Sequence, residues 1–238
     1  MMNFLSTKFL LKLEKLLIPT LSLLIPIILS IALYFALIAS PIDYQQGEMV
    51  RIMYVHVPSA WMALGIYSFI AICSLSNLIW KTKLSYIFAL SSAPVGAIFA
   101  LITLITGSLW GYPIWGTWWV WDARLTSMLV LFLQYVAYIA IVSGTNNLMR
   151  AEKPASMFAI IGFINIPIVK FSVDIWYSLH QPSSFLRFKG VAIHEAMLKP
   201  LLLMFLCFIL YFTLILLLKS RTIINQQKAQ NSYGIYSN

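Results

Sequence analysis

The chain has 238 residues, 61% hydrophobic and 10% charged, with a net charge of +9. Soluble domains carry roughly 45–50% apolar and about 25% charged residues, so no single water-soluble core absorbs this much apolar surface and a bilayer must solvate part of it. The positive charge lies in short clusters between long apolar runs, which is the pattern of membrane topology rather than of nucleic-acid binding.

Six runs reach the length of about 20 apolar residues that a spanning helix needs. They are Leu16–Ala39, Pro58–Trp80, Leu84–Gly107, Leu125–Ser143, Pro154–Tyr177 and Pro200–Leu218. The first exceeds the roughly 7–15 residues of a signal-peptide core and lacks a clean small-x-small cleavage site before Pro41, so an uncleaved span is expected. Lipid cannot hydrogen-bond to the backbone, so each run should be a helix. The expected fold is all-α: a polytopic membrane protein of six transmembrane helices. Pro26, Pro94 and Pro167 fall within spans, where neighbouring helices can satisfy the freed carbonyls. Cys73 and Cys207 lie far apart inside apolar runs and form neither a zinc pattern nor a disulfide framework.

The connections set the topology. Lys8, Lys12, Lys15, Lys81, Lys83, Arg150, Lys153, Lys219, Arg221 and Lys228 lie on one side, against Arg51, Arg124, Arg187, Lys189 and Lys199 on the other. The positive-inside rule then places both termini in the cytoplasm. Residues 1–221 read as a single six-span domain and 222–238 as a polar cytoplasmic tail. Three connections face outward: Ser40–Val57, Ser108–Arg124 and Ser178–Lys199. No phosphate-binding glycine loop is present, so ATP chemistry is not encoded. Lys170 and Asp174, four residues apart in the fifth span, are expected to pair on one helix face.

The second outward connection holds five of the eight tryptophans, in SLWGYPIWGTWWVWDARLTS. An interfacial aromatic belt accounts for one or two tryptophans per helix end, as at Trp61, Trp80 or Trp176. Five in one connection make a large apolar patch, the mark of a binding surface. Indoles offer wide stacking faces, so the ligand should be large, flat and apolar. Arg124 follows at once and suits a carboxylate through its forked donors, or else anchors the fourth span together with Asp122.

Two of the three histidines flank spans on the same side. His56 sits in YVHVPSAW before span two, and His180 in WYSLHQPSS after span five. Two imidazoles and an aromatic floor on one face match what a haem requires: axial nitrogen ligands for iron and apolar contacts for the macrocycle. Arg51 and Arg124 are candidates for the propionates, although Arg51 equally suits the head-group layer. His194, in VAIHEAML, reads as a surface histidine.

The segment WGTWWVWDARLT resembles the WWD signature of haem-handling membrane proteins in cytochrome c maturation. With PIDYQQG, YVHVPSAW and LHQPSS it is similar, from about Asp43 to about Lys199, to the haem exporter protein C family. That resemblance implies a protein of the bacterial inner membrane, or its organellar counterpart, that holds haem b transiently on the outer side. It implies delivery to a membrane-anchored haem chaperone, in company with an ABC-type ATPase and its membrane subunit and a small single-span accessory protein. No catalysis by this chain is implied; ATPase activity would lie on a partner. By motif match, His56 and His180 are the axial ligands and Trp115, Trp118, Trp119, Trp121 and Asp122 form the haem platform of the WWD segment, residues 108–126. Two rival readings are a cytochrome b-type electron-transfer subunit and a permease. The first usually buries its histidines within paired helices, and the second needs polar groups near the bilayer midplane.

Overall fold

The six apolar runs become helices because only internal hydrogen bonding satisfies a backbone in lipid. In the computed structural model, which describes residues 7–145, 148–180 and 193–235, they form α1 (Thr7–Tyr34), α2 (Met53–Trp80), α3 (Lys83–Trp115), α4 (Ala123–Ser143), α5 (Leu148–Gly162), α6 (Asn165–Ile175) and α7 (Glu195–Ile235). Six helical stretches are long and apolar enough to cross a membrane, with α5 and α6 sharing the fifth. A π turn over Phe35–Ala39 ends α1, and a 3-10 turn over Glu48–Ile52 leads into α2.

The span boundaries differ from the sequence expectation in three places. First, α3 runs on through Pro113 to Trp115, so Trp110 and Trp115 are helical rather than part of a connection. The helix stops at Gly116, whose φ of 73° permits the left-handed cap and whose N–H donates to the Tyr112 carbonyl at 2.9 Å. Second, the fifth span is broken at Phe163–Ile164. Pro167 has no N–H to donate four residues back to Phe163, and so it sits in the first turn of a new helix, where that donor is dispensable. Gln134 of α4 covers the break by donating to the Gly162 carbonyl at 3.3 Å, and Asn165 donates to the Ser127 carbonyl at 2.9 Å. Third, α7 stays helical past Thr222 to Ile235. Arg187 and Lys189, counted above for topology, lie outside the described residues.

The main core gathers α2, α3, α4 and α5 around Ile66, Tyr67, Ile70, Ala93, Leu131 and Tyr135. Tyr135 is fully buried, and its hydroxyl donates to the Ala63 carbonyl at 2.7 Å, joining α4 to α2. Asn77 donates to Glu152 at 2.8 Å and joins α2 to α5. The polar groups that are sparse in the sequence are therefore used as interhelical links. Helices α1 and α7 pack on one another beside this core, around Leu21, Leu84, Leu217 and Ile224.

Candidate functional site

Consecutive spans run in opposite directions, so the start of α2, the end of α3, the start of α4 and the end of α6 meet at one end of the bundle. His56 lies in the first turns of α2 and is 8% exposed. His180 lies five residues beyond α6 and is half-buried. Their ring centroids are 6.3 Å apart with 33° between the planes. Trp110 stands edge-on to His56 at 5.7 Å, and Trp115 lies 6.5 Å from His180. The structure thus brings together the two histidines and two of the five tryptophans.

A stripe along α3 shapes this pair. His56 Nδ1 is 3.0 Å from Thr106 Oγ1. The Thr106 hydroxyl commits its single proton to the Ile102 carbonyl at 2.6 Å, so toward the imidazole it can only accept. Nδ1 therefore carries the ring proton, and Nε2 keeps its lone pair. Gly107 and Gly111, four residues apart on the same stripe, make room for rings. A Cβ at Gly107 would meet His56 Cε1 at 3.0 Å, and one at Gly111 would meet Trp115 Cε3 at 2.7 Å. The turn Asp43–Gly47 completes the wall. Asp43 Oδ1 accepts from the N–H groups of Gln45 and Gln46 at 2.9 and 2.8 Å, and Gln46 Oε1 accepts from the Trp110 indole N–H at 2.8 Å.

Asp122 ties the tryptophan segment to the His180 segment. One carboxylate oxygen accepts from the Leu125 N–H at 2.8 Å and caps α4. The other accepts from the Ser178 hydroxyl, whose oxygen in turn accepts from the His180 N–H at 3.0 Å. Asp122 thus acts through the backbone of its neighbours.

The remaining tryptophans point elsewhere. Trp118 stacks on Tyr112 with centroids 4.2 Å apart and planes 15° apart. At about 100° per residue, Ile105, Ser108, Leu109 and Tyr112 fall on the face of α3 opposite the stripe of Thr106, Gly107, Trp110 and Gly111. There Trp118 lines an open groove of about 360 Å³ with Leu104, Ile105, Ser108 and Leu109. Trp121 is exposed and meets Trp119 edge-on at 5.6 Å. The Trp119 indole N–H is buried without a hydrogen-bond partner among the described residues. The segment is therefore divided between two faces of one helix.

Both candidate arginines have protein partners. Arg51 pairs with Glu48 and donates to the Ala36 carbonyl at 3.1 Å and to Ser40 Oγ at 2.9 Å. Arg124 donates to the Lys170 carbonyl at 3.1 Å and to Ser172 Oγ at 3.3 Å, within electrostatic reach of His56. Lys170 and Asp174 act on one another electrostatically but, among the described residues, close no ion pair. His194 Nδ1 accepts from the Ala196 N–H at 3.2 Å, so this histidine caps α7. The Gln181–Ser184 part of the LHQPSS motif lies outside the described residues.

Thr106, Gly107, Gly111, Gln46 and Ser178 are the site residues that sequence reasoning missed. For Thr106, Gly107 and Gly111 the one sequence signal is their spacing with Trp110 on a single helical face.

These features define a class: a multi-pass, all-helical membrane protein with a histidine pair, one member buried and one half-buried, and an aromatic wall at one end. Residues 1–234 match the family described as Heme exporter protein C. A Heme exporter protein C of Bradyrhizobium diazoefficiens is 42% identical over 214 residues, covering 90% of this chain and 81% of that protein. Its counterpart in Escherichia coli K12 is 39% identical, covering 87% and 83%. A ccmC-like mitochondrial protein of Marchantia polymorpha, named for cytochrome c biosynthesis, is 47% identical and covers 82% of each chain. The chain belongs to the haem exporter protein C family.

Proposed function

We propose that this protein acts in c-type cytochrome maturation by holding haem between His56 and His180 and presenting it to a membrane-anchored haem chaperone. The observation that carries the reading is the 6.3 Å between the two imidazole centroids. A metal–imidazole bond is about 2.0–2.1 Å, so two rings on either side of one ion have centroids roughly 6 Å apart. The Thr106 hydrogen bond supports it too, because it leaves the His56 Nε2 lone pair for a metal. Trp110 and Trp115 supply apolar edges for a macrocycle.

Haem is cargo here, and iron chemistry enters only as axial ligation. His56 is set by α3 and His180 by the Asp122–Ser178 link, so the two ligands are held by separate elements. That separation suits release, since displacing the segment that carries His180 opens the site while His56 stays fixed. The Arg124 guanidinium is a donor for the carboxylates of the cargo, with Asp122 positioning rather than touching it. Arg51, already held by Glu48, Ala36 and Ser40, belongs to the packing of α1 on α2. The site is assigned to the outer membrane face, with both termini cytoplasmic, on the clustering of lysine and arginine at the other end. Partnership with an ABC-type ATPase, its membrane subunit and a small single-span protein follows the resemblance stated above.

The test is reconstitution with the chaperone. Wild-type protein should copurify with haem and pass it on, whereas His56→Ala and His180→Ala should each lose most of the bound haem. Undiminished haem and transfer in both variants would overturn the reading.

A further inference from the structure

Away from the histidines, a second cavity of about 220 Å³ opens between α1 and α7. Leu11, Glu14 and Lys15 line it from α1, and Arg221 and Asn225 from α7. Leu11, Glu14 and Lys15 share one helical face by their spacing, as do Arg221 and Asn225. Glu14 is the unusual member. It is 2% exposed, and its Oε1 is buried with no hydrogen-bond partner among the described residues. Arg221 acts on it electrostatically, but among the described residues the two form no ion pair. A carboxylate withdrawn from water and left unpaired is costly, so the site is built to receive a donor.

The other groups say which donor. Lys15, Arg221 and Asn225 are exposed around the buried carboxylate and offer cations and an amide to an anion. Leu13 and Leu16 on α1 and Leu218 on α7, close in sequence to the lining residues, are exposed and offer apolar surface to acyl chains. A ligand that satisfies all three carries an ammonium with N–H donors, a phosphate close to it, and a hydrocarbon tail. Drug-sized ligands need roughly 300–1,000 Å³, so 220 Å³ suits a head group and excludes a tetrapyrrole. We propose that the α1–α7 cavity binds the head group of a phospholipid with a primary ammonium, phosphatidylethanolamine. Its ammonium donates to Glu14, and its phosphate accepts from Lys15, Arg221 and Asn225. A quaternary ammonium lacks the donors, and a glycerol head group lacks the cation.

The experiment is native mass spectrometry of the full-length protein in delipidated micelles, titrated separately with phosphatidylethanolamine, phosphatidylcholine, phosphatidylglycerol and water-soluble phosphoethanolamine. One phosphatidylethanolamine should be retained at least about tenfold more tightly than the other two lipids, and Glu14→Gln should remove that preference, as loss of a charge-assisted hydrogen bond does. Binding of free phosphoethanolamine with equal strength would overturn the lipid as the source. Equal retention of the three lipids by the wild type, which needs no variant, would overturn the site, as would an unchanged preference in Glu14→Gln.

Discussion

At the scale of single residues, two hydrogen bonds decide how the histidines are presented. Thr106 fixes which His56 nitrogen carries the proton, and Ser178 fixes the backbone of His180. Loss of a partner behind a metal-ligating histidine typically costs about 10–100-fold in affinity. Thr106→Val should therefore lower haem content by a similar factor at unchanged protein level, read by pyridine haemochrome assay. Thr106→Ser, which keeps the hydroxyl, should restore it. Asp122→Ala should weaken His180 ligation and also remove the α4 cap, worth about 0.5–2 kcal/mol. Ser178→Ala separates these effects: it leaves the Asp122 bond to the Leu125 N–H in place, so haem affinity should fall with little change in thermal stability. Equal stability loss in the two variants would contradict the assignment. Sequence alone named His56, His180 and Asp122, but not Thr106, Ser178 or Gln46. A threonine within an apolar helix resembles any other until the fold sets it 3.0 Å from an imidazole.

At the scale of elements, α3 is the organising helix. Its stripe of Thr106, Gly107, Trp110 and Gly111 seats one histidine and two indoles, while its opposite face takes Trp118 on Tyr112. Gly111→Ala should force the Trp115 ring off the helix, because a Cβ there would stand 2.7 Å from Trp115 Cε3. The expected readout is altered Trp115 fluorescence and reduced haem transfer, in a protein that still spans the membrane; unchanged spectra and transfer would show that the ring position does not matter. The sequence located the six spans because apolar length is decided by the bilayer. The apolar run of the third span ends at Gly107, which assigns Trp110 and Trp115 to the connection Ser108–Arg124, whereas the helix continues through Pro113 to Trp115. The break in the fifth span escaped for the reverse reason. Its apolar run is continuous, and the interruption comes from the missing Pro167 donor together with Gln134, which covers the Gly162 carbonyl, and Asn165, which ties the new helix to the Ser127 carbonyl of α4.

At the scale of the whole molecule, the chain is polarised. The histidine site occupies one end, and the basic clusters, with the α1–α7 cavity, occupy the other. Tyr44 is 91% exposed at the site end and Lys81 is exposed at the opposite end. In a background lacking Cys73 and Cys207, Tyr44→Cys should react with a membrane-impermeant thiol reagent added outside cells, and Lys81→Cys only after permeabilisation. The reverse pattern would invert the orientation argued from the positive charges. The central claim, that one haem iron is shared by His56 and His180, is tested most directly by the spin state of haem bound to the purified protein. Wild type should give a six-coordinate low-spin spectrum, and His56→Ala and His180→Ala should each give a five-coordinate high-spin species that added imidazole returns to low spin. A low-spin spectrum in both variants without imidazole would contradict it.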